Sequence, residues 1–571
     1  MSVSVSHRTF LNHSTGFKAL FTGLGLLFLT GLEAPAEAQQ TEPYVSQVWV
    51  ADNGDGTYTN PILHADYSDP DVVRVGNDFY MTASSFNASP GLPILHSRDL
   101  VNWKLINHAL PRLYPDEHFS KPRHEQGVWA PSIRYHKGHY YIFWGDPDFG
   151  IFMVKTDDPE GEWTEPKLVK GGNGLIDPSP LWDDDGRAYL VYAFARSRSG
   201  VNTVLVVQEM EPDASGVIGE AVLAFDGHDG HRVVEGPKFH KRGDTYYILA
   251  PAGGVTYGWQ LAMRSDNVFG PYEEKVVLHQ GSTDINGPHQ GGLVELESGE
   301  SWFVHFQDKY EYGRIVHLNP VQWVDGWPLM GVDKNGDGIG EPVSTYRKPD
   351  VGDTEWPIVT PPESDEFDSH KLGLQWQWHA NPSLTWALTS RAGFLRIYGT
   401  PLPDDFTNFW DVPNLLLQKF PAPAFTATTK FTFTPHMYGE KAGLIVMGRD
   451  YSYLSLEKRR DGLYISQTVT KDADNGGIGE EISGEYVDGD TFWFRAEVRD
   501  GGLVRFSYST DGQSFSHIGG TFQSRQGGWI GAKIGLFGAQ PAEYDPDDIF
   551  EYSSRHLGFA DYEWFRVTPA E

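Results

Sequence analysis

Three acidic residues of this chain occupy matched places in a repeating pattern. Asp69 lies in Tyr67-Ser68-Asp69-Pro70-Asp71, Asp177 in Ile176-Asp177-Pro178-Ser179-Pro180, and Glu235 in Val233-Val234-Glu235-Gly236-Pro237. Two carboxyl groups facing each other across a sugar-sized gap can hydrolyse a glycosidic bond. One stays ionised and activates water, while the other stays protonated and donates to the leaving oxygen. A third carboxylate nearby keeps the donor's proton on, because like charges oppose ionisation. The apolar residues before Glu235 favour a protonated acid there. An Asp before Pro is commonly just a turn former, and the chain holds 77 Asp plus Glu. The shared offset of all three, rather than any single position, is what points to a site.

The element that must position them is a repeat. A Gly-based turn followed by an aromatic-rich apolar strand recurs at Gly76, Gly138, Gly186, Gly243 and Gly299, at spacings of 62, 48, 57 and 56 residues (138−76, 186−138, 243−186, 299−243). Short strands at this period predict a β-propeller of five blades, each of about four strands. Inner strands of a propeller surround one axis, so residues at equal distance before each turn converge. Asp69 precedes its Gly by 7 residues (76−69), Asp177 by 9 (186−177) and Glu235 by 8 (243−235). Some blades carry a second element, as in His96-Ser97-Arg98-Asp99-Leu100-Val101-Asn102-Trp103, which suits a hairpin on the outer edge.

Composition narrows the classes of partner. At 571 residues two domains are expected. Aromatics at 14 % with 63 Gly and 37 Pro favour an all-β chain rich in turns. A formal net charge of −32 argues against nucleic acid and against anionic membrane surfaces, and a neutral substrate is easier to reconcile. Arg8 and Lys18, the apolar run from Ala19 to Leu32, and Ala36-Glu37-Ala38 read as a signal peptide over 1–38 cleaved near Ala38, so the protein is expected to be secreted or periplasmic. With no cysteine there is neither a disulfide nor a lipid-anchored N-terminus.

A polar lead-in over 39–57 is followed by the propeller over 58–345. Pro349, Pro357, Pro361 and Pro362 mark a linker over 346–362. Beyond it, over 363–571, Phe425, Ala427, Thr429, Phe431 and Phe433 alternate with polar residues, and Asp461-Gly462 and Asp500-Gly501-Gly502 are hairpin signals; together they imply a β-sandwich.

The residues also resemble glycoside hydrolase family 43. Asn60-Pro61-Ile62-Leu63, Asp69-Pro70, Gly127-Val128-Trp129-Ala130-Pro131, Ile176-Asp177-Pro178-Ser179, Glu235-Gly236-Pro237 and Gly313-Arg314-Ile315-Val316-His317-Leu318 occur in that family's order and spacing. Ala560-Asp561-Tyr562-Glu563-Trp564-Phe565 resembles the concanavalin A-like sandwich (a jelly roll) at the C-terminus of many of its β-xylosidases. The resemblance implies an inverting enzyme in which Asp69 is the general base, Asp177 modulates and orients the acid, and Glu235 is the general acid. It implies that Arg314 hydrogen-bonds sugar hydroxyls, and that His289 approaches a hydrated ion on the axis, often calcium. No cofactor is required for the chemistry. Trp129, Phe86 and Trp259 are expected to stack on a sugar or line the pocket. One departure is visible, since many members have Asp after Trp-Ala-Pro where this chain has Ser132.

Asp333-Lys334-Asn335-Gly336-Asp337-Gly338 opens like a calcium loop, but its twelfth position is Ser344 rather than a bidentate Glu, so it is read as a turn. The expected activity is removal of single pentose units from hemicellulose fragments, β-1,4-xylosidase first and α-L-arabinofuranosidase close behind. An arabinanase or galactanase on the same scaffold, and a non-catalytic carbohydrate-binding protein, are the rivals.

Overall fold

The computed structural model describes residues 43–542 and 557–570; the signal expected over 1–38 lies outside them. Each sequence repeat folds into one four-stranded antiparallel sheet. The inner strands of the five blades are Asp71–Val75, Trp129–His136, Leu175–Trp182, Lys238–Arg242 and His289–Glu295. The recurring glycine forms the turn from first to second strand in every blade, with φ of 62°, 87°, 87°, 60° and 88°. Side chains rarely adopt that region, which is why the position repeats as Gly and the period is legible. The Ser97–Asn102 segment is the turn from third to fourth strand of the first blade, held by Asp99 accepting the Val101 and Asn102 amides.

The core of the propeller is divided among the contacts between neighbouring blades. Val72 and Phe79 of the first blade pack with Val304 and Val316 of the fifth, and Ile94 packs with Ile133 and Ile142 of the second. Phe143 meets Leu190, Val191 meets Ile248, and Leu249 meets Phe303 at the other three contacts. Each blade is thus apolar on both faces, and its strands read as nearly continuous apolar runs. Every blade is also one uninterrupted segment of chain. The ring is closed by hydrogen bonds: Asn60 Nδ2 donates to the Leu318 and Val343 carbonyls (2.8 Å each), its Oδ1 accepts the Leu318 amide (2.9 Å), and Leu63 bridges Val316. Thr57–Thr59 pairs with Thr345–Arg347 beside this clamp.

Residues 363 onward form two eight-stranded sheets packed face to face. The alternation over 425–433 places Phe425, Ala427, Phe431 and Phe433 in the shared core with Phe494 and Tyr562. Arg459 pairs with Gly462 and Arg499 with Leu503 across the two expected hairpin turns. The sandwich docks against the first two blades and the end of the fifth. Ser89 bridges Trp378, Asn381 bonds the Leu113 amide and carbonyl, and Tyr312 and Ile315 of the propeller belong to the sandwich's apolar cluster. Among the described residues no helix is long and apolar enough to cross a membrane.

Asn60→Ala removes three buried hydrogen bonds at the seam of the ring, worth on the order of 2–4 kcal/mol together. We expect a lower urea midpoint for loss of propeller structure, measured by near-UV circular dichroism.

Candidate active site

A left-handed residue recurs where each inner strand begins: Asp69 (φ 53°), Ala130 (36°), Asp177 (56°), Gly236 (60°) and Gln290 (41°). In the second, third and fifth blades it coincides with a register shift in the pairing of the first two strands. Such a bulge re-aims a side chain out of the strict alternation of a strand. Holding a non-glycine residue there costs on the order of 1–3 kcal/mol. In the first and third blades the strained residue is itself a carboxylate. In the fourth, glycine takes the strained place and Glu235 precedes it, which accounts for its offset of 8 against 7 for Asp69. A Cβ at Gly236 would stand 2.6 Å from the Gln290 side chain, so only glycine fits.

The left-handed residues, together with the bulge of the third blade, bring Asp69, Asp177 and Glu235 to one pocket of ≈ 480 Å³ at the hub. Asp69 is 5 % exposed, and its Oδ2 accepts hydrogen bonds from Ser68 Oγ and Ser84 Oγ (2.6 Å each) and from Arg314 Nη1 (3.2 Å). Ser84 Oγ in turn accepts the Ala130 amide (2.7 Å), so the second blade fixes the carboxylate of the first. Asp177 Oδ2 accepts the Gly236 amide (2.7 Å). Burial, and after it the charge of Glu235, push the Asp177 carboxyl up to about 8. The Asp177 carboxyl therefore keeps its proton past neutrality. His289 is 1 % exposed, its Nε2 lies 3.5 Å from Glu235 Oε1, and neither ring nitrogen has a hydrogen-bond partner. Among the described residues no group of three His, Cys, Asp or Glu side chains is placed to hold a metal directly. His289 therefore fits contact with an ion only through its water shell.

Arg314 and the aromatics form the wall. The Arg314 guanidinium lies 4.9 Å from the Phe306 ring, 5.8 Å from Trp529 and 6.0 Å from Phe86. Trp129 packs edge-on against both Phe86 and Trp529, at 6.3 Å in each case, and its Nε1 is buried with no protein partner. Trp259 does not line the pocket. Its Nε1 donates to His231 Nδ1 (3.2 Å) and its ring lies against Gly253, behind the loop whose Val255 does. Aromatic content alone does not separate a wall from its backing.

Trp529 is the residue that sequence reasoning missed, because it comes from the sandwich. Its loop reaches the hub through one carboxylate. Asp66 Oδ1 accepts the Arg314 amide and Asp66 Oδ2 accepts the Gly531 amide, both at 2.9 Å. Gly313 and Gly531 touch beside it; a Cβ at Gly531 would stand 2.6 Å from the Gly313 nitrogen. The only signal in the sequence was the glycine density of Gly527-Gly528-Trp529-Ile530-Gly531, which marks a close backbone approach but not its partner.

A propeller hub bearing three carboxylates, an arginine and a wall of aromatics defines a glycoside hydrolase. The sequence model of Glycosyl hydrolases family 43 matches residues 58–328, and that of the Beta xylosidase C-terminal Concanavalin A-like domain matches 364–568. A candidate β-xylosidase of Xylanibacter ruminicola is 38 % identical over 489 residues, covering 85 % of this chain and 86 % of that one. A β-xylosidase of Formosa agariphila is 32 % identical over 566 residues, 90 % of each chain. A non-reducing end α-L-arabinofuranosidase of Bacteroides ovatus is 35 % identical over 420 residues, 70 % of this chain and 75 % of that one. The crystal structure of a xylan β-1,4-xylosidase from Bacillus halodurans superposes with a TM-score of 0.77 at 25 % identity, covering 89 % of this chain and 99 % of that one. The chain belongs to glycoside hydrolase family 43.

Two outcomes follow from this geometry. Asp66→Ala frees the Trp529 loop and the Arg314 backbone together, and misplacement on the ångström scale costs roughly 10²-fold in rate; we expect kcat/KM on a nitrophenyl glycoside to fall by about that factor. The second concerns stability. Asp177 has a native pKa above its ordinary value of 3.8, so it binds more protons folded than unfolded. Its contribution is fully present below about pH 4 and is lost as pH rises towards 8. Asp177→Asn should therefore gain in Tm relative to wild type as pH goes from 5 to 8, read by differential scanning calorimetry.

Proposed function

We propose that the protein is an exo-acting β-1,4-xylosidase that hydrolyses xylo-oligosaccharides with inversion. Asp69 takes a proton from water, whose oxygen attacks the anomeric carbon from the face opposite the leaving group. The glycosidic C–O bond breaks, and Glu235 gives its proton to the departing oxygen; Asp69 ends protonated and Glu235 ionised, and exchange with solvent resets both. Asp177 orients Glu235 and keeps one proton on the pair. Arg314 offers donors to the hydroxyls of the bound sugar, and the Trp129 ring forms part of the wall. The chemistry needs no cofactor; a hydrated cation such as calcium would approach His289 through water and supply charge and order at the axis.

The observation that carries the reading is the entry of Trp529 from the sandwich into a hub pocket that already holds the three carboxylates. A wall at that place suits one terminal sugar rather than a chain passing through. The β-xylosidases of Xylanibacter and Formosa, matched across both domains, support xylose as that sugar. The arabinofuranosidase of Bacteroides ovatus supports a second reading, α-L-arabinofuranosidase activity in the same pocket. Export is part of the proposal and rests on the basic, apolar and Ala-Glu-Ala pattern of the first 38 residues.

Comparing kcat/KM for 4-nitrophenyl β-D-xylopyranoside and 4-nitrophenyl α-L-arabinofuranoside separates the two readings, and binding without turnover of either would favour a lectin. Proton NMR of a fresh xylobiose digest should show α-xylose first from the non-reducing end; β-xylose there would refute inversion. Glu235→Gln should lose about 10²–10⁴-fold in kcat/KM on xylobiose, and far less on a dinitrophenyl xyloside, whose leaving group needs no proton. Asp69→Asn should be equally slow on both.

A further inference from the structure

The loop that carries Trp529 meets the propeller at a second place, away from Asp66. The Gly527 amide donates to the Ile530 carbonyl (2.8 Å), so Trp529 sits in a four-residue turn. Its backbone is left-handed (φ 61°), a region that bulky side chains rarely adopt. Such a conformation persists only where its surroundings enforce it. One neighbour is Glu125, in the loop between the first and second blades and itself left-handed (φ 62°). A Cβ built on Gly528 would stand 2.7 Å from Glu125 Cγ, so the two pack with no room for a methyl group. The Glu125 carboxylate is ion-paired with Arg449 of the sandwich, and the Arg449 amide donates to the Gln526 carbonyl (3.1 Å). Arg449 and Glu125 therefore hold the turn from its two sides, one through Gln526 and the other through Gly528.

The same propeller segment also bears on the opposite side of the pocket. His124 stacks on Trp410 of the sandwich (ring centroids 3.6 Å apart, planes at 14°), and its Nε2 donates to the Trp410 carbonyl (2.8 Å). A Cβ at Gly127 would stand 2.4 Å from the Phe86 carbonyl oxygen, and Phe86 and Val128 exchange amide-to-carbonyl hydrogen bonds of 3.0 and 3.2 Å. Residues 124–129 thus run from an anchor in the sandwich to the Phe86–Trp129 side of the pocket. Glu125 is where they touch the Trp529 side. We propose that Glu125 is a positioning residue: its ion pair with Arg449 is a latch between the domains that fixes Trp529 at the spacing from Phe86 and Trp129 that one terminal sugar fills. Asp474 Oδ2 lies 3.3 Å from Arg449 Nε, so the arginine keeps a partner when Glu125 is removed. The proposal rests on the reading of Trp529 as a wall for the sugar.

A wall that touches the sugar equally before and in the transition state contributes uniform binding. Loosening it raises KM and leaves kcat in place, whereas loss of folded enzyme lowers the apparent kcat at unchanged KM. The test is steady-state kinetics on xylobiose for Glu125→Gln, Glu125→Ala, Gly528→Ala and the double variant of the last two. Glu125→Gln keeps the size of the side chain without its charge. In Gly528→Ala the new methyl displaces the Glu125 side chain from Arg449. We expect KM to rise about two- to fivefold in each single variant, the range of a partly exposed ion pair, with kcat unchanged. The double variant should match Glu125→Ala, because the methyl then meets no side chain. A wild-type KM in Glu125→Gln or in Gly528→Ala would overturn the proposal, as would additive effects in the double variant. A fall in Tm with KM unmoved would make the contact structural and overturn it equally. Trp529→Ala separates the latch from the reading beneath it. A wild-type KM there sinks the wall itself, whereas a raised KM there beside a wild-type KM in Glu125→Gln sinks the latch alone.

Discussion

Crowding like charges into one pocket is unfavourable, and the structure of this enzyme is arranged around sustaining that state. Asp69, Asp177 and Glu235 would relieve their repulsion by moving apart. That route is closed to the two aspartates. Asp69 and Asp177 are held by strained left-handed backbone at the start of their strands, and each accepts a donor from a neighbouring blade. The strain is sustained by five apolar contacts between blades, which leave the hub no freedom to widen. At Asp177 the cost is visible as a raised pKa, so ionisation of this carboxyl weakens the fold.

The sandwich takes part in the same arrangement. Its apolar cluster continues into Tyr312 and Ile315 of the fifth blade, so the two domains share buried surface next to the site. Asp66 ties the backbone of Arg314 to that of Gly531, and thereby fixes the arginine that steadies Asp69 and the tryptophan that walls the pocket by one carboxylate. The second domain is better described as a part of the pocket than as an accessory to it.

How much of this was legible in the sequence follows from the range of the forces involved. The five glycine turns were visible because positive φ at Gly76 or Gly243 is a demand of local backbone, written at one position. The sandwich hairpins at Asp461-Gly462 and Asp500-Gly501-Gly502 were visible for the same reason. Asp69, Asp177 and Glu235 could be found because they hang on that repeat at nearly equal offsets. Their offsets differ by one or two residues, because Gly236 takes the left-handed place next to Glu235 and the third blade has a register shift and a longer turn, details of pairing that leave no local mark. Trp529 enters from a loop more than two hundred residues beyond Arg314, and its place is decided by contact between domains. Trp259 failed in the opposite sense, since an aromatic behind a pocket and one in its wall have the same sequence signature.

One feature of the ring bears on how the molecule is made. No blade borrows a strand from the far end of the chain, so each sheet can close as soon as its own fourth strand has been synthesised, and domains generally mature from the N-terminal side during translation. The pocket is different, because it draws on all five blades and then on Trp529 of the second domain. A ribosome-bound chain with all five blades folded thus still lacks one wall of its pocket. That wall is added only once the second domain has been made as far as Trp529.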